Sequence, residues 1–542
     1  MFNKMKVIKS FKYTNYFILL FFVIIISLPL FYNGIIQGHD LRFHLSRIIS
    51  ISDGINNGNF LSYIHSGYLN NYGYANGLFY SNIFLYLPAF LKSLGLSVIN
   101  SYKIFLFLCN LNTSLSMYYC VNKVFKNKKI ALISSILYLM NPYRVCDVYV
   151  RAAVGEILSF IFIPFVLLGI YDFLTNNGKR WKYLTIGFSG LILSHIISTI
   201  IMLCLCLIIF LIWHKKILNK EAIKNLIISG LVCILLISFY IFPMLEQCLS
   251  NKFIVNTNTI HSDIYSHTVP FLQIFSGIPH WYNGIFIPSG IGFLLTCLLM
   301  LRIKINKFKF QKICDILIVV GIISTLFVTD IIPWNTLNLF SILQFPWRIY
   351  ICSVPFLIIA SSIILYEYSN KYKKKADRFI LFILILSIVT PAYIIYNQYS
   401  QEYIWKNYED YNLGGKEYIP KNVDINLLKE RGEVVTSNNN IDINFNRVKN
   451  KIVVNYSNNK YDNTYLELPL LYYKGYYAIN GYNVQAGKNG VVRVYILGNN
   501  GKVTVYYKGT KVAKISSIVT IISILGILII KIVKGVKKHE KR

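Results

Sequence analysis

Between Gly38 and Arg47 the chain reads Gly38-His39-Asp40-Leu41-Arg42-Phe43-His44-Leu45-Ser46-Arg47, one acid, two arginines and two histidines directly after an apolar stretch. Asp40, His44 and Arg47 stand at i, i+4 and i+7, and Leu41, Leu45 and Ile48 share the adjacent face, the pattern of an amphipathic helix on a membrane surface. The same spacing suits Asp40 as a helix N-cap and the arginines as headgroup anchors. His39 and His44 are five apart, so a regular helix does not turn both toward one metal ion. A second cluster, Tyr143-Arg144-Val145-Cys146-Asp147-Val148-Tyr149-Val150-Arg151, puts Arg144, Asp147 and Arg151 on one helical face, with Glu156 opening the next apolar stretch. An ordinary i, i+4 ion pair between Asp147 and Arg151 accounts for this spacing too. A third, Gln344-Phe345-Pro346-Trp347-Arg348, carries Trp347 and Arg348, which interface anchoring also explains.

Arginines bind phosphate through forked hydrogen bonds, and a carboxylate takes the proton of an attacking hydroxyl. Together they suit displacement of a phosphate from a lipid-linked sugar. Asp40 is then the expected base, with Glu156 and Asp147 as further catalytic carboxylates. His39, Arg42, His44, Arg47, Arg144, Arg151, Trp347 and Arg348 are the expected substrate-binding set. No His/Cys set has metal-ligand spacing, so no metal site is assigned; a divalent cation stays compatible with the sequence.

The elements that would position these residues are membrane spans. Of 542 residues, 55% are hydrophobic and 15% aromatic, and the mean hydropathy is +0.49, far above that of a soluble domain. The formal charge of +32 would suggest nucleic acid in a soluble protein. Here the lysines sit in short loops between spans, where they set orientation, so no nucleic-acid partner is expected. The first span, about 16–32, follows Lys4, Lys6, Lys9 and Lys12 without a small-residue cleavage site, and reads as a retained helix. Further spans are expected near 101–121, 130–143, 156–174, 183–197, 198–213, 226–246, 286–302, 313–329, 347–366, 379–397 and 513–531, about twelve in all. The run 183–213 is split at Ser194-His195. Basic loops then alternate: Lys123 to Lys129, Lys179 to Lys182, Lys215 and Lys216, Arg302 to Lys309, Lys371 to Lys375, and Lys537 to Arg542 all share the side of the N-terminus. Both termini are expected inside.

This topology leaves residues 33–100, 247–285 and 398–512 outside, and gathers the three clusters at one membrane face. The expected domains are a transmembrane core, 1–397, whose first outer loop is 33–100; a β-rich domain, 398–512; and a C-terminal helix with a basic tail, 513–542. The β domain shows alternating stretches such as Lys451 to Tyr456. A hairpin is expected between Val491 to Leu497 and Lys502 to Tyr507 across Gly498-Asn499-Asn500-Gly501. None of the ten cysteines falls there, and they read as small core residues. Tyr472, Tyr473, Tyr476 and Tyr477 could stack on sugars, but aromatic residues in strands are more often core. The fold class is therefore a mainly α polytopic membrane protein with a small extracytoplasmic β domain.

The motifs His39-Asp40-Leu41-x-Phe43-His44-Leu45-x-Arg47-Ile48, Gly73-Tyr74-Ala75, Leu78-Phe79-Tyr80, Tyr149-Val150-Arg151-Ala152-Ala153-x-Gly155-Glu156 and Gln344-Phe345-Pro346-Trp347-Arg348 resemble those of bacterial membrane proteins labelled 6-pyruvoyl-tetrahydropterin synthase-related. The resemblance extends to Glu417-Tyr418-Ile419-Pro420 and to Leu468-Pro469-Leu470-Leu471-Tyr472-Tyr473-Lys474-Gly475-Tyr476. The pterin synthase of that label is a soluble zinc enzyme with a histidine triad, and no such triad is spaced here. Such proteins look like GT-C polytopic glycosyltransferases, in which an acid of the first outer loop is the base; that implication falls on Asp40. The chain departs from many of them in lacking a paired Asp-x-Asp or Glu-Asp in that loop.

What the resemblance implies is a glycosyltransferase of the bacterial cell membrane. It would move a sugar from a polyprenyl-phosphate donor to an envelope polymer or glycolipid on the extracytoplasmic face. Two alternatives share the composition: a transporter or flippase for lipid-linked sugars, and a non-catalytic envelope assembly protein. A transporter usually carries ionisable residues or broken helices at mid-membrane. Here His195 is the main such residue, and its place at a helical turn suits a hydrogen-bonded packing group.

Overall fold

The computed structural model describes residues 2–539 apart from 62, 257–263, 283, 372–375, 411–414, 431, 438–440, 449–450, 459–463 and 497. Lys373, Lys374, Lys375, Lys541 and Arg542, counted above among the basic loop residues, lie outside the described residues. The chain divides into two compact units: residues 1–41, 102–233 and 261–408 form one, and 42–101, 234–260 and 409–542 the other.

Seven helical stretches are long and apolar enough to cross a membrane: Thr14–Phe31, Val98–Phe125, Val154–Asn176, Lys220–Ser250, Pro346–Lys371, Asp377–Gln401 and Lys511–Val533. The other five expected spans coincide with shorter helices, Lys128–Leu139, Lys182–Ser194, Ile196–Ile212, Phe293–Met300 and Gln311–Leu326. Length and composition alone thus single out seven crossings among the described residues; the count of twelve includes the five shorter helices. The stretch 286–302 departs most from expectation. It begins in a hairpin, His280–Tyr282 against Ile285–Ile287, and turns helical only at Phe293, because Pro288, Gly290 and Gly292 (φ 90°) interrupt it.

In the first unit, the helices Val154–Asn176 and Lys182–Ser194 meet backbone to backbone. A Cβ on Gly169 would stand 2.7 Å from the Leu184 nitrogen, and one on Gly187 2.7 Å from the Val166 nitrogen. Small residues at such a crossing let apolar helices pack without side-chain stems between them. The run 183–213 breaks at His195, whose extended backbone (φ −157°, ψ 111°) caps the next helix as its Nδ1 accepts from the Ser198 amide at 3.3 Å. The helix Tyr350–Lys371 is the most enclosed of the long ones, buried almost throughout its apolar window.

In the second unit, two four-stranded antiparallel sheets face each other across one core. Val492 and Val494 come from one sheet, Val454, Val503 and Val505 from the other, all buried. The hairpin expected across Gly498 to Gly501 does not form. Val491–Tyr495 pairs with Tyr465–Leu471 and Val484–Ala486, whereas Asn500–Tyr507 pairs with Lys451–Asn458 and Tyr476–Ala478. Both strands turn their valines inward, and a two-sheet sandwich satisfies both faces by sending the chain across the core. Of the tyrosines named above, Tyr473 is buried, while Tyr477 is exposed.

The first-loop helix, Leu41–Asn56, is not a surface helix. Leu45 and Ile48 are buried, and so are His44 and Arg47 on the face expected to meet solvent. Arg47 donates to Asn82 Oδ1 from Nε (3.2 Å) and Nη2 (2.8 Å), to the Ser81 carbonyl (2.9 Å), and lies 4.2 Å over the Tyr80 ring. Protein acceptors and an aromatic face replace water around the guanidinium, so headgroup anchoring by Arg47 is ruled out in this arrangement. Asn82 Nδ2 in turn meets His65 Nε2 at 3.2 Å. Burial, and then Arg47, hold the His65 imidazole down to about 3. With a folded value below the unfolded one, this histidine's contribution to stability is complete above about pH 6.5 and is lost as pH falls toward 3. Between pH 6.5 and 5 the loss should be about 2 kcal/mol. Thermal midpoints taken across this range should fall less in His65→Gln than in the wild type; an equal fall would remove His65 as the acid-sensitive group.

Candidate active site

The candidate site in the first unit begins with a helix start. Asn141 accepts from the amides of Tyr143 (3.1 Å) and Arg144 (3.4 Å), and Pro142 follows at the first helical position. The helix Pro142–Cys146 then widens into a π-helical turn, Asp147–Arg151, and ends at Ala152 in the left-handed region (φ 53°). A π-turn inside a helix often marks a functional site. Here it brings Arg151 onto Asp147, and the reversal at Ala152 starts the next helix at Val154, so that Glu156 returns to the same arginine.

Glu156 is the hub. Its Oε1 accepts from Arg151 Nη2 (2.9 Å) and Arg348 Nε (3.1 Å), and its Oε2 from the Tyr143 hydroxyl (2.7 Å). Arg348 also donates to the Leu343 carbonyl (3.0 Å) and to Gln344 Oε1. All four charged groups are buried. Two carboxylates and two guanidinium groups balance formally. Asp147 gives one oxygen to Arg151, and its Oδ2 is buried with no hydrogen-bond partner. Burial, and then the Glu156 charge, push the Asp147 carboxyl well above the usual carboxylate range against the pull of Arg151. A protonated Asp147 would leave the cluster with an excess positive charge.

The carbonyls released by the end of the π-turn hold the first outer segment. The His39 amide donates to the Val150 carbonyl (3.1 Å) and the Asp40 amide to that of Arg151 (2.8 Å). Asp40 is exposed at this position. Gly38 makes the approach possible, since a Cβ there would lie 2.8 Å from the Ala152 methyl and 3.1 Å from the Val150 oxygen. Gly38→Ala should therefore lower stability by about 1–3 kcal/mol through overpacking. Any activity that depends on Asp40 should fall with it, because Asp40 is pushed off its support. A thermal midpoint and activity both unchanged would show that the approach is not required.

Beside His39 runs an aromatic wall. The His39 ring meets Phe286 edge-on at 4.6 Å; Phe286 meets Trp347 at 6.4 Å; Trp347 stacks on Phe345 at 4.5 Å; and Arg348 lies 4.9 Å over Phe345. Trp281, on the same hairpin as Phe286, is exposed. Although His39 keeps contact with solvent, the protein crowded around it, and then Arg151, hold its pKa down to about 4, so the ring is neutral at pH 7.

Of the expected residues, the structure gathers His39, Asp147, Arg151, Glu156, Trp347 and Arg348, with Asp40 fixed to the Arg151 backbone. Arg144 is turned elsewhere, donating to Asn110 Oδ1 (2.6 Å) and the Leu139 carbonyl (3.2 Å). The expected single face of Arg144, Asp147 and Arg151 assumed 3.6 residues per turn, which the π-turn does not keep. Arg42, His44 and Arg47 belong to the second unit. Tyr143, Gln344, Trp281 and Phe286 were missed. Asn283-Gly284 is a hairpin signal that could have flagged the last two. No three His, Cys, Asp or Glu side chains converge as a metal-binding group among the described residues.

A bundle of apolar helices carrying a buried ion-pair network at its helix starts is the architecture of a multi-pass membrane protein. The family described as "6-pyruvoyl-tetrahydropterin synthase related domain; membrane protein" matches residues 78–401, and the chain belongs to it. An uncharacterized protein of Lactococcus lactis subsp. cremoris (strain MG1363) is 24% identical over 275 residues, 49% of this chain and 45% of that protein. The chain thus matches less than half the length of this relative. Among solved structures, it is similar to arabinofuranosyltransferase AftD from Mycobacteria (11% identity, 70% of this chain, 26% of that one, TM-score 0.45). It is also similar to archaeal oligosaccharyltransferase AglB from Archaeoglobus fulgidus (13% identity, 71% of this chain, 55% of that one, TM-score 0.37).

Proposed function

We propose that the chain is a membrane glycosyltransferase of the GT-C type, moving a sugar from a polyprenyl-phosphate donor to an envelope polymer or glycolipid. The observation that carries the reading is an exposed carboxylate, Asp40, held by its own amide on the carbonyl of Arg151, the arginine of a buried network. In the reaction the acceptor hydroxyl attacks the anomeric carbon, Asp40 takes its proton, and the bond from that carbon to the phosphate oxygen breaks. The departing lipid phosphate carries the electron pair and is stabilised by Arg151 and Arg348. Glu156 and Asp147, closed off from solvent, act as positioning residues that orient the two guanidinium groups. Neutral His39 and the aromatic wall offer a face and a hydrogen-bonding ring to the sugar.

Counting the five shorter helices as crossings too, the positive-inside rule assigns the lysine-rich loops to the cytoplasm, and this site and the β domain each to the outer side. Protein reconstituted in liposomes with polyprenyl-phosphate sugars and an envelope acceptor should release polyprenyl phosphate in step with label entering the acceptor. Movement of intact lipid-linked sugar across the bilayer without that release would replace transfer by transport.

A further inference from the structure

A cavity lies further along the bundle from the ion-pair network. It is an apolar groove of about 370 Å³ whose lining includes Val121, Leu168, Tyr171, Trp213 and Leu317, with Lys216 and Lys312 also lining it. On the helix Val154–Asn176, Glu156 stands eight positions before Pro164, where the groove begins on that helix, and fifteen before Tyr171, about 12 and 22 Å at the helical rise of about 1.5 Å per residue. The groove occupies the opposite half of the bundle, next to the basic loops. Its volume falls within the range of roughly 300–1,000 Å³ usual for sites that bind small molecules.

We propose that this groove binds an anionic glycerophospholipid, its acyl chain against the apolar wall and its headgroup phosphate between Lys216 and Lys312. Charge complementarity argues for the anion. Three acids at this end are engaged with other groups: Asp172 accepts from the Arg180 amide (2.7 Å), Glu221 pairs with Lys179 (3.6 Å), and Asp315 pairs with Arg302 (2.7 Å). Both groove lysines are exposed. Trp213 and Tyr171 also line it, amphipathic rings of the kind enriched at membrane interfaces. An apolar wall with two ammonium groups and two such rings in its lining matches a lipid of the bilayer, where a soluble phosphate would leave the wall unfilled.

Native mass spectrometry of the detergent-purified full chain with phosphatidylglycerol and phosphatidylcholine of identical acyl chains tests this. Phosphatidylglycerol should be retained at least fivefold better. Lys216→Gln/Lys312→Gln should weaken its binding about tenfold and leave phosphatidylcholine unchanged, Leu317→Trp should weaken both, and Lys215→Gln, beside the groove but not lining it, should act as wild type. Equal retention of the two lipids, or a loss in Lys215→Gln as large as in the double variant, would overturn the site. Displacement of phosphatidylglycerol by polyprenyl phosphate at one-tenth its concentration would overturn the glycerophospholipid as its occupant.

Discussion

Asp40→Asn is expected to reduce the turnover of sugar transfer by about 10²–10⁴-fold, the usual weight of a positioned general base, while leaving insertion and thermal stability unchanged. The two halves of this expectation have separate physical grounds. Asparagine keeps the size of the side chain and the backbone amide that donates to the Arg151 carbonyl, so the segment stays on its support. The exposed side chain loses its capacity to take a proton but keeps one oxygen as an acceptor. The loss should therefore appear in kcat at saturating donor and acceptor, with donor affinity nearly intact, because the arginines proposed to grip the phosphate are untouched. Transfer retained by a normally inserted Asp40→Asn protein would remove Asp40 as the base.

Much of this arrangement is written in the residues, but in uneven ways. The break at Ser194-His195 was legible because a run too long for one helix and short for two must be interrupted somewhere polar, and His195 supplies its own cap. Part of the ion-pair cluster was legible too: Asp147, Arg151, Glu156 and Arg348 were all among the expected residues and meet, whereas Arg144, expected on the same face, turns to Asn110. Its geometry was not. A helical wheel assumes 3.6 residues per turn, and the widened turn at Asp147–Arg151 followed by left-handed Ala152 carries no local sequence signal that such a wheel can read. Arg47 shows the opposite failure. Amphipathic spacing put it on a wet face, whereas Asn82, Ser81 and Tyr80, remote in sequence, cover it, a tertiary contact that periodicity cannot report. The hairpin that did not form fails for a related reason: turn chemistry at Gly498 fixes a reversal, but which sheet each strand joins depends on valines that must all face one core.

The largest effect on stability is expected from Glu156→Gln. The substitution keeps the shape of the side chain and one carbonyl oxygen for Arg151 or Arg348, but removes the charge shared by both guanidinium groups. Two buried cations would then face Asp147 alone, which already gives one oxygen to Arg151 and leaves the other without a hydrogen-bond partner. Breaking a buried ion pair from one side typically costs about 3–5 kcal/mol, because the stranded charge keeps its desolvation penalty and loses its compensation. Removing the second cation as well should recover part of that cost, although Arg348→Met alone forfeits the bonds to Leu343 and Gln344. Glu156→Gln/Arg348→Met should thus be more stable than the sum of the single losses, with a coupling of about 1–3 kcal/mol. Thermal midpoints of the four proteins in one detergent measure that coupling. Additive losses, with Glu156→Gln costing under about 1 kcal/mol, the scale of an exposed pair, would mean that the network is solvated in the membrane and does not set the positions of Arg151 and Arg348.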